Sequence, residues 1–327
     1  MRILPVLLAL MLAACAVPLR HGEAPDWVDG AASAYPTDRY LLGRGRAATL
    51  ALAQDRARAD LAKGLEVAVA ARTREAQRFV RADGETGRQA LEIDRRLVTT
   101  TSGVLRGVEI ADIWRAPGGD YHVLAVLDRQ AMARRLRREI AELDRQTGTL
   151  VDQARRADDP LAAIAAAGRA VDLQAQRASR ARLLSVLAAA VPPRWPLAKL
   201  RADREALLRR LAIAVKAAPG EARLVELLGG AVSAAGLRLV AADEADYILS
   251  GRLELAPPEP REGWQWIRGR LSITLARGDG RVRGTHRWSF KAAALSAAEA
   301  RRRAVDEAAR LLRAELLPVL LSLAGGR

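Results

Sequence analysis

Between a short apolar run and a helix-like segment the chain carries Gly43-Arg44-Gly45-Arg46-Ala47-Ala48. A glycine-rich turn from strand to helix can present free backbone N–H groups to a pyrophosphate, and the dinucleotide fingerprint tolerates alanine at its third glycine. Glu66 follows at about the spacing where that fingerprint places a ribose-binding acid. Two features oppose a nucleotide. The apolar run Tyr40–Leu42 makes only a short strand, and Glu66 falls near the start of the next apolar alternation, whereas a ribose acid belongs at a strand's end. The glycines are therefore expected to form a tight structural turn into a packed helix, and no cofactor is expected.

Other chemistry is sparse. His21, His122 and His286 are the only histidines, one in a leader and one in each of two predicted hairpins, and no two have metal-ligand spacing, so no metal site is expected. Neither Ser-x-x-Lys nor Gly-x-Ser-x-Gly occurs. The acidic pairs Asp158-Asp159 and Asp243-Glu244 sit at helix ends, where carboxylates cap helices or make turns. A glycan-cleaving enzyme would need two carboxylates facing each other across a cleft, and that remains an alternative function without assigned catalytic residues. The main expectation is a protein that is not an enzyme.

The most informative stretch is the hairpin from Trp264 to Lys291. On its first strand Gln265, Ile267, Leu271, Ile273 and Leu275 share one face, and Trp264, Trp266, Arg268, Arg270, Ser272 and Thr274 share the other. On its second strand Val282, His286, Trp288 and Phe290 oppose Arg281, Arg283, Arg287 and Lys291. One face is apolar and the other combines tryptophan with arginine. Indoles there could stack on a sugar or side chain, and the guanidinium groups could engage carboxylate or phosphate. Trp264, Trp266, Arg268, Arg270, Arg283 and Arg287 form the candidate binding face. In the alternative, the tryptophans pack beneath the closing helix with the arginines covering them.

The elements that position this hairpin follow from the N-terminus onward. Arg2 precedes an apolar run to Ala14, and Leu12-Ala13-Ala14-Cys15 resembles the lipobox of bacterial lipoproteins, which implies cleavage before Cys15 and acylation there. Cys15 is the only cysteine, so no intrachain disulfide can form. Each buried methylene adds about 0.8 kcal/mol, so several acyl chains anchor stably where one is marginal. Residue 16 is alanine and not the aspartate that marks inner-membrane retention, so the expected address is the outer membrane, periplasmic face. The net charge is +15, with 49 arginines among 53 basic residues. Between Arg129 and Lys216 there are 19 basic and 9 acidic residues, a local excess of +10. Arginine is abundant throughout, as in a compositionally biased chain, and scattered arginines mostly form solvated helix faces. As a partner-binding charge in an exported protein it suits an anionic envelope polymer or other envelope proteins, not nucleic acid.

The expected fold class is α+β: two small α/β modules, each with helix packed on antiparallel or mixed sheet, joined by a long α-helical hairpin. The bounds are a signal at 1–14, a lipidated tether at 15–24, a first domain at 25–128, the helical hairpin at 129–191 and a second domain at 192–327. In the first domain, strand Tyr40–Leu42 leads to a helix bearing Leu50, Ala53, Ala57 and Leu61, Leu65, Val67 and Val69 alternate as a strand, and Val108–Trp114 and Tyr121–Leu127 form a hairpin. In the second, strands are expected at Leu211–Val215, Leu237–Val240 and Tyr247–Leu255, a helix at Glu221–Ala235, then the long hairpin and a closing helix from Ser296.

Trp27, Tyr35-Pro36, Tyr40-Leu41-Leu42-Gly43, Gly45, the alanine-rich helix and Trp114 with its Tyr121-containing strand occur in an order that resembles the Lpp-twenty family of outer-membrane lipoproteins and the N-terminal domain of flagellar assembly protein T. The resemblance covers roughly the first third and implies a non-enzymatic envelope or surface-assembly role with no catalytic residues. The stretch "AGLRLVAADEADYILSGRLEL" looks like periplasmic domains of curli-secretion-type lipoproteins and of lipoprotein activators of peptidoglycan synthases. That likeness implies regulation of cell-wall synthesis as an alternative role.

Overall fold

The computed structural model describes residues 19–80, 107–217 and 221–324. Cys15, with the signal before it, and the polar stretch from residue 81 to Gly103 lie outside the described residues. The chain divides into two compact units, Met1–Asp144 with Ala175–Arg194 and Arg145–Gln174 with Trp195–Arg327. The division runs through both helices of the hairpin expected at 129–191, α3 (Arg129–Arg156) and α4 (Pro160–Leu187).

The first unit holds α1 (Asp26–Asp29), α2 (Leu50–Val80) and a four-stranded sheet of β1 (Leu19–Arg20), β2 (Tyr40–Ala47), β3 (Glu109–Arg115) and β4 (Tyr121–Asp128), in the order β1-β3-β4-β2. β2 and β3 flank β4 antiparallel, and β1 runs parallel to β3. On one face, Ala53, Ala57, Leu61, Leu65 and Val69 of α2 pack against Val123, Ala125 and Leu127. On the other, Trp27 and Trp114 cover Leu124 and Val126. The Trp27 indole N–H donates to Asp112 Oδ2 at 2.9 Å, and Arg44 donates to the carbonyls of Trp27 and Gly30, at 2.7 and 2.8 Å. These bonds pin the segment before β2 to the sheet.

Two expectations are corrected here. Leu65, Val67 and Val69 belong to α2, not to a strand. Leu65 and Val69, four residues apart, continue the Leu61 seam, whereas Val67 points away and is 63 % exposed. The outer pair, Leu65 and Val69, fits the i, i+4 spacing of a helix as well as the strand period, and only Val67 separates the two readings. The second correction concerns Gly43 and Gly45, which lie inside β2 and not in a turn. A Cβ on Gly43 would run into the Ala57 carbonyl and Leu61, and one on Gly45 would run into the Ala53 carbonyl and the Ala57 nitrogen. The glycines let helix backbone lie directly on strand backbone. Glu66 is exposed on the middle of α2.

The hairpin helices bury Met132, Leu136, Ile140 and Leu143 of α3, together with Leu161, Ile164 and Leu183 of α4. Within the first unit the buried Arg177 guanidinium pairs with Asp144 at 3.2 Å and donates to the carbonyls of Val191 and Pro192, at 3.1 and 2.8 Å. It thereby ties the chain leaving α4 back onto that helix, with its charge fully partnered.

The second unit adds α5 (Leu197–Arg210), β5 (Ala212–Ala217), α6 (Ala222–Ala234), β6 (Arg238–Leu239), β7 (Tyr247–Leu255), β8 (Glu259–Arg261), β9 (Trp264–Arg277), β10 (Val282–Ala294) and α7 (Ala297–Ala324). Its six-stranded sheet runs β10-β9-β7-β5-β6 with β8 also paired to β9. β5 is parallel to both neighbours, and β7, β9 and β10 are antiparallel. The stripe Ala300, Ala304, Ala308, Leu312, Leu316 and Leu320 on α7 packs with α6 on Ile267, Leu271, Ile273, Leu275, Trp288 and Phe290. Small residues at four-residue spacing bring the first half of α7 close to the strands. The fold is α+β.

Candidate functional site

Because α6 and α7 occupy one face of the second sheet, the other face of β7, β9 and β10 meets solvent. Burial alternates strictly along β9, with Ile267, Gly269, Leu271, Ile273 and Leu275 buried and Trp264, Trp266, Arg268 and Arg270 exposed. The tryptophans are therefore not under the closing helix: Trp264 is 43 % and Trp266 39 % exposed, and α7 covers the opposite face. Trp288 does meet α7, its indole N–H donating to Glu315 Oε2 at 2.7 Å.

Register shows which side chains stand together. Ser250, Thr274 and Thr285 make one row across the open face, Arg252, Ser272 and Arg287 the next, then Glu254, Arg270 and Ser289, then Arg268 with Lys291, and finally Trp266 between Glu259 and Ala293. On β7 to β10, Arg252, Arg261, Arg268, Arg270, Arg287 and Lys291 share the open face with Glu254 and Glu259, six cations against two carboxylates. The ion pairs Arg268–Glu259 and Arg270–Glu254 are both 3.5 Å long and exposed. Such pairs contribute about 0–1 kcal/mol and yield readily to a competing anion. Arg268, Arg270, Ser289 and Lys291 also line a hollow of about 510 Å³ at this end of the sheet. The face thus carries cationic charge, hydroxyl groups and an exposed aromatic end on a rigid sheet.

Arg283 does not join this face. The β9–β10 register slips between Val282 and Gly284, and the bulge turns the Arg283 side chain toward Asp159, with Nη2 2.7 Å from Oδ2. Asp159 Oδ1 also accepts from the Tyr247 hydroxyl and from the amides of Leu161 (3.0 Å) and Ala162 (3.2 Å). Burial pushes this carboxyl upward, but the Tyr247 bond, the Ala162 amide, the Arg283 charge and the Leu161 amide outweigh it, holding it below the usual carboxylate range. Burial, then the bond to Asp159, pushes the Tyr247 phenol up. Asp159 is a structural hub that caps α4.

Alternation in the sequence identified Trp264, Trp266, Arg268, Arg270 and Arg287. Arg252 and Glu254 joined the face only through the pairing of β7 with β9, which no single-strand pattern reveals. Gly284 inside a strand pattern was the available signal for the bulge that removes Arg283.

The remaining candidates take structural places. His122 packs on Trp114 with ring centroids 5.1 Å apart, and burial, then the Arg46 charge, holds its imidazole below the ordinary histidine value. His286 packs edge-on against Trp288. Among the described residues no group of three or more His, Cys, Asp or Glu could hold a metal ion. Likewise, no helix among them is long and apolar enough to cross a membrane.

The class of protein defined by these units is an α+β protein carrying an open, cationic sheet face. Its first domain is of a particular kind: residues 25–128 match the LPP20 lipoprotein family. The match supports a lipoprotein role in the cell envelope. Among solved structures the chain is similar to the secreted protein HP1454 of Helicobacter pylori, at 16 % identity over 84 % of this chain and 96 % of that one, TM-score 0.48. It is also similar to a minor lipoprotein of Acinetobacter baumannii, at 13 % identity over 33 % of this chain and 90 % of that one, TM-score 0.28. A third is rare lipoprotein B of Shewanella oneidensis, at 10 % identity over 34 % and 91 %, TM-score 0.24. No curated protein matches the chain.

Proposed function

We propose that this is a non-enzymatic protein anchored by acyl chains on Cys15 at the periplasmic face of the outer membrane, and that its cationic sheet face binds an anionic partner in an envelope or surface-appendage assembly. The observation that carries the reading is the row structure of the open face, in which Arg252, Arg268, Arg270, Arg287 and Lys291 outnumber Glu254 and Glu259 beside two exposed indoles. Charge gathered on a preformed surface raises the local concentration of an anion and fixes where it docks.

Two measurements test this. Full-length protein in detergent should bind immobilised polyglutamate, more weakly as salt rises. Reversing Arg268, Arg270 and Arg287 together to glutamate should cut binding by at least about tenfold, the loss of a few charge contacts. Arg301→Glu, on the exposed side of α7, should leave binding unchanged. If the triple variant binds as tightly as the parent while retaining its circular dichroism, the face is not the site. In cells, Cys15→Ala should shift the protein from the membrane fraction to the soluble fraction, and persistent membrane association after a carbonate wash would overturn the anchor.

A further inference from the structure

The second sheet ends in an unusual edge. β6 closes one side with two residues, but the other side is the thirteen-residue β10, which among the described residues is paired on one flank. Long edges are normally shortened, bulged or covered, because their outward N–H and C=O groups template another strand. Here the bulge lies at the extreme end, and from Gly284 to Ala294 the pairing with β9 is unbroken. Among the described residues the edge is guarded by the terminal bulge, by the exposed charges of Arg287 and Lys291, and by Arg303 donating to the Ala293 carbonyl, and none of these blocks the backbone between Thr285 and Ala292.

The side chains along the edge say what would fit. On the open face Arg287 and Lys291 alternate with Ser289, and neither cation makes an ion pair among the described residues, unlike Arg268 and Arg270 one strand inward. On the covered face the same strand presents His286, Trp288 and Phe290. A neighbouring strand would therefore put every second residue beside cations and the alternate ones toward the apolar layer. A second copy paired about Ser289, the middle of the charged row, fits poorly. Antiparallel pairing of two β10 strands about Ser289 places Arg287 opposite Lys291 on both sides, and like charges directly opposite destabilise a sheet.

We infer that β10 is a strand-addition site for an extended acidic segment of another envelope protein, with acidic and apolar residues alternating. The inference rests on the anion-binding reading above and specifies its partner as polypeptide. Backbone pairing along β10 supplies affinity and the alternation supplies register.

The test compares two synthetic peptides of about ten residues with the same composition, one alternating glutamate and valine and one with the two residues in blocks, against the full-length protein in detergent. The alternating peptide should bind at least about tenfold more tightly and slow amide hydrogen exchange along Gly284–Ala294. The double variant Arg287→Glu, Lys291→Glu should lose that preference while keeping its melting temperature. If both peptides bind equally, or binding leaves β10 exchange unchanged, strand addition is wrong and the anionic face stands. If polyglutamate and both peptides all fail to bind, both readings fall. A concentration-dependent dimer that protects β10 without peptide would overturn the inference in favour of a second copy.

Discussion

Gly45→Val should lower the melting temperature of the first unit by roughly 10 °C, the equivalent of about 3 kcal/mol or more. The size follows from what the added atoms meet. At Gly45 a Cβ runs into the Ala53 carbonyl and the Ala57 nitrogen, which are helix backbone and cannot rotate aside as a side chain would. Relief requires α2 to lift from β2, opening the layer of Ala53, Ala57 and Leu61 on Val123 and Ala125. Gly45→Ala should show most of the loss, since the first carbon already collides. Gly118→Ala, in the β3–β4 turn with nothing within 4 Å of the added carbon, should stay within about 0.5 kcal/mol of the parent. Thermal unfolding followed by circular dichroism decides the matter. Equal melting temperatures for Gly45→Ala and Gly118→Ala would contradict the close approach of α2 to β2.

The same two glycines show how far sequence reasoning reached. Their position before an alanine-rich helix was visible, but the reason for them was not: a turn and a strand crossed closely by a helix both call for glycine, and only tertiary contact separates the two. The β9–β10 hairpin was legible because its faces differ sharply, with Ile267, Leu271, Ile273 and Leu275 on one side and Trp266, Arg268 and Arg270 on the other. One bulge then sufficed to misplace Arg283. Helix α5 escaped notice because only Leu200 and Leu208 are buried on it, too few to write a helical stripe among its charges. The open face itself is a property of pairing between strands, so Arg252 could not be assigned to it before the β7–β9 register was known.

Asp159→Ala should destabilise the second unit by about 3 kcal/mol, combining roughly 1 kcal/mol for a lost helix cap with about 1–3 kcal/mol for an orphaned buried hydroxyl. The hydroxyl is that of Tyr247, which is fully buried and donates to the Asp159 carboxylate, and the lost cap served the amides of Leu161 and Ala162. Tyr247→Phe removes donor and buried polar group together and should cost only about 1 kcal/mol. The pH dependence separates charge from capping. The folded carboxyl is held below its ordinary 3.8, so its contribution is fully present above that unfolded value and drains as pH falls through it toward the lower folded one. Asp159→Asn keeps a capping oxygen but no charge for Arg283. The stability gap between parent and Asp159→Asn should therefore hold steady from neutral pH down to about 5 and shrink below about 4. At neutral pH nothing at the hub compensates, since the Tyr247 phenol is pushed up and stays a donor. Glu299 and Glu307, also held low by their arginine partners in the same unit, titrate alike in both proteins and cancel in the difference. Denaturant unfolding at several pH values reads the gap directly. A gap that stays constant through pH 3 would mean that the Asp159 charge contributes nothing and that its place in the fold is capping alone.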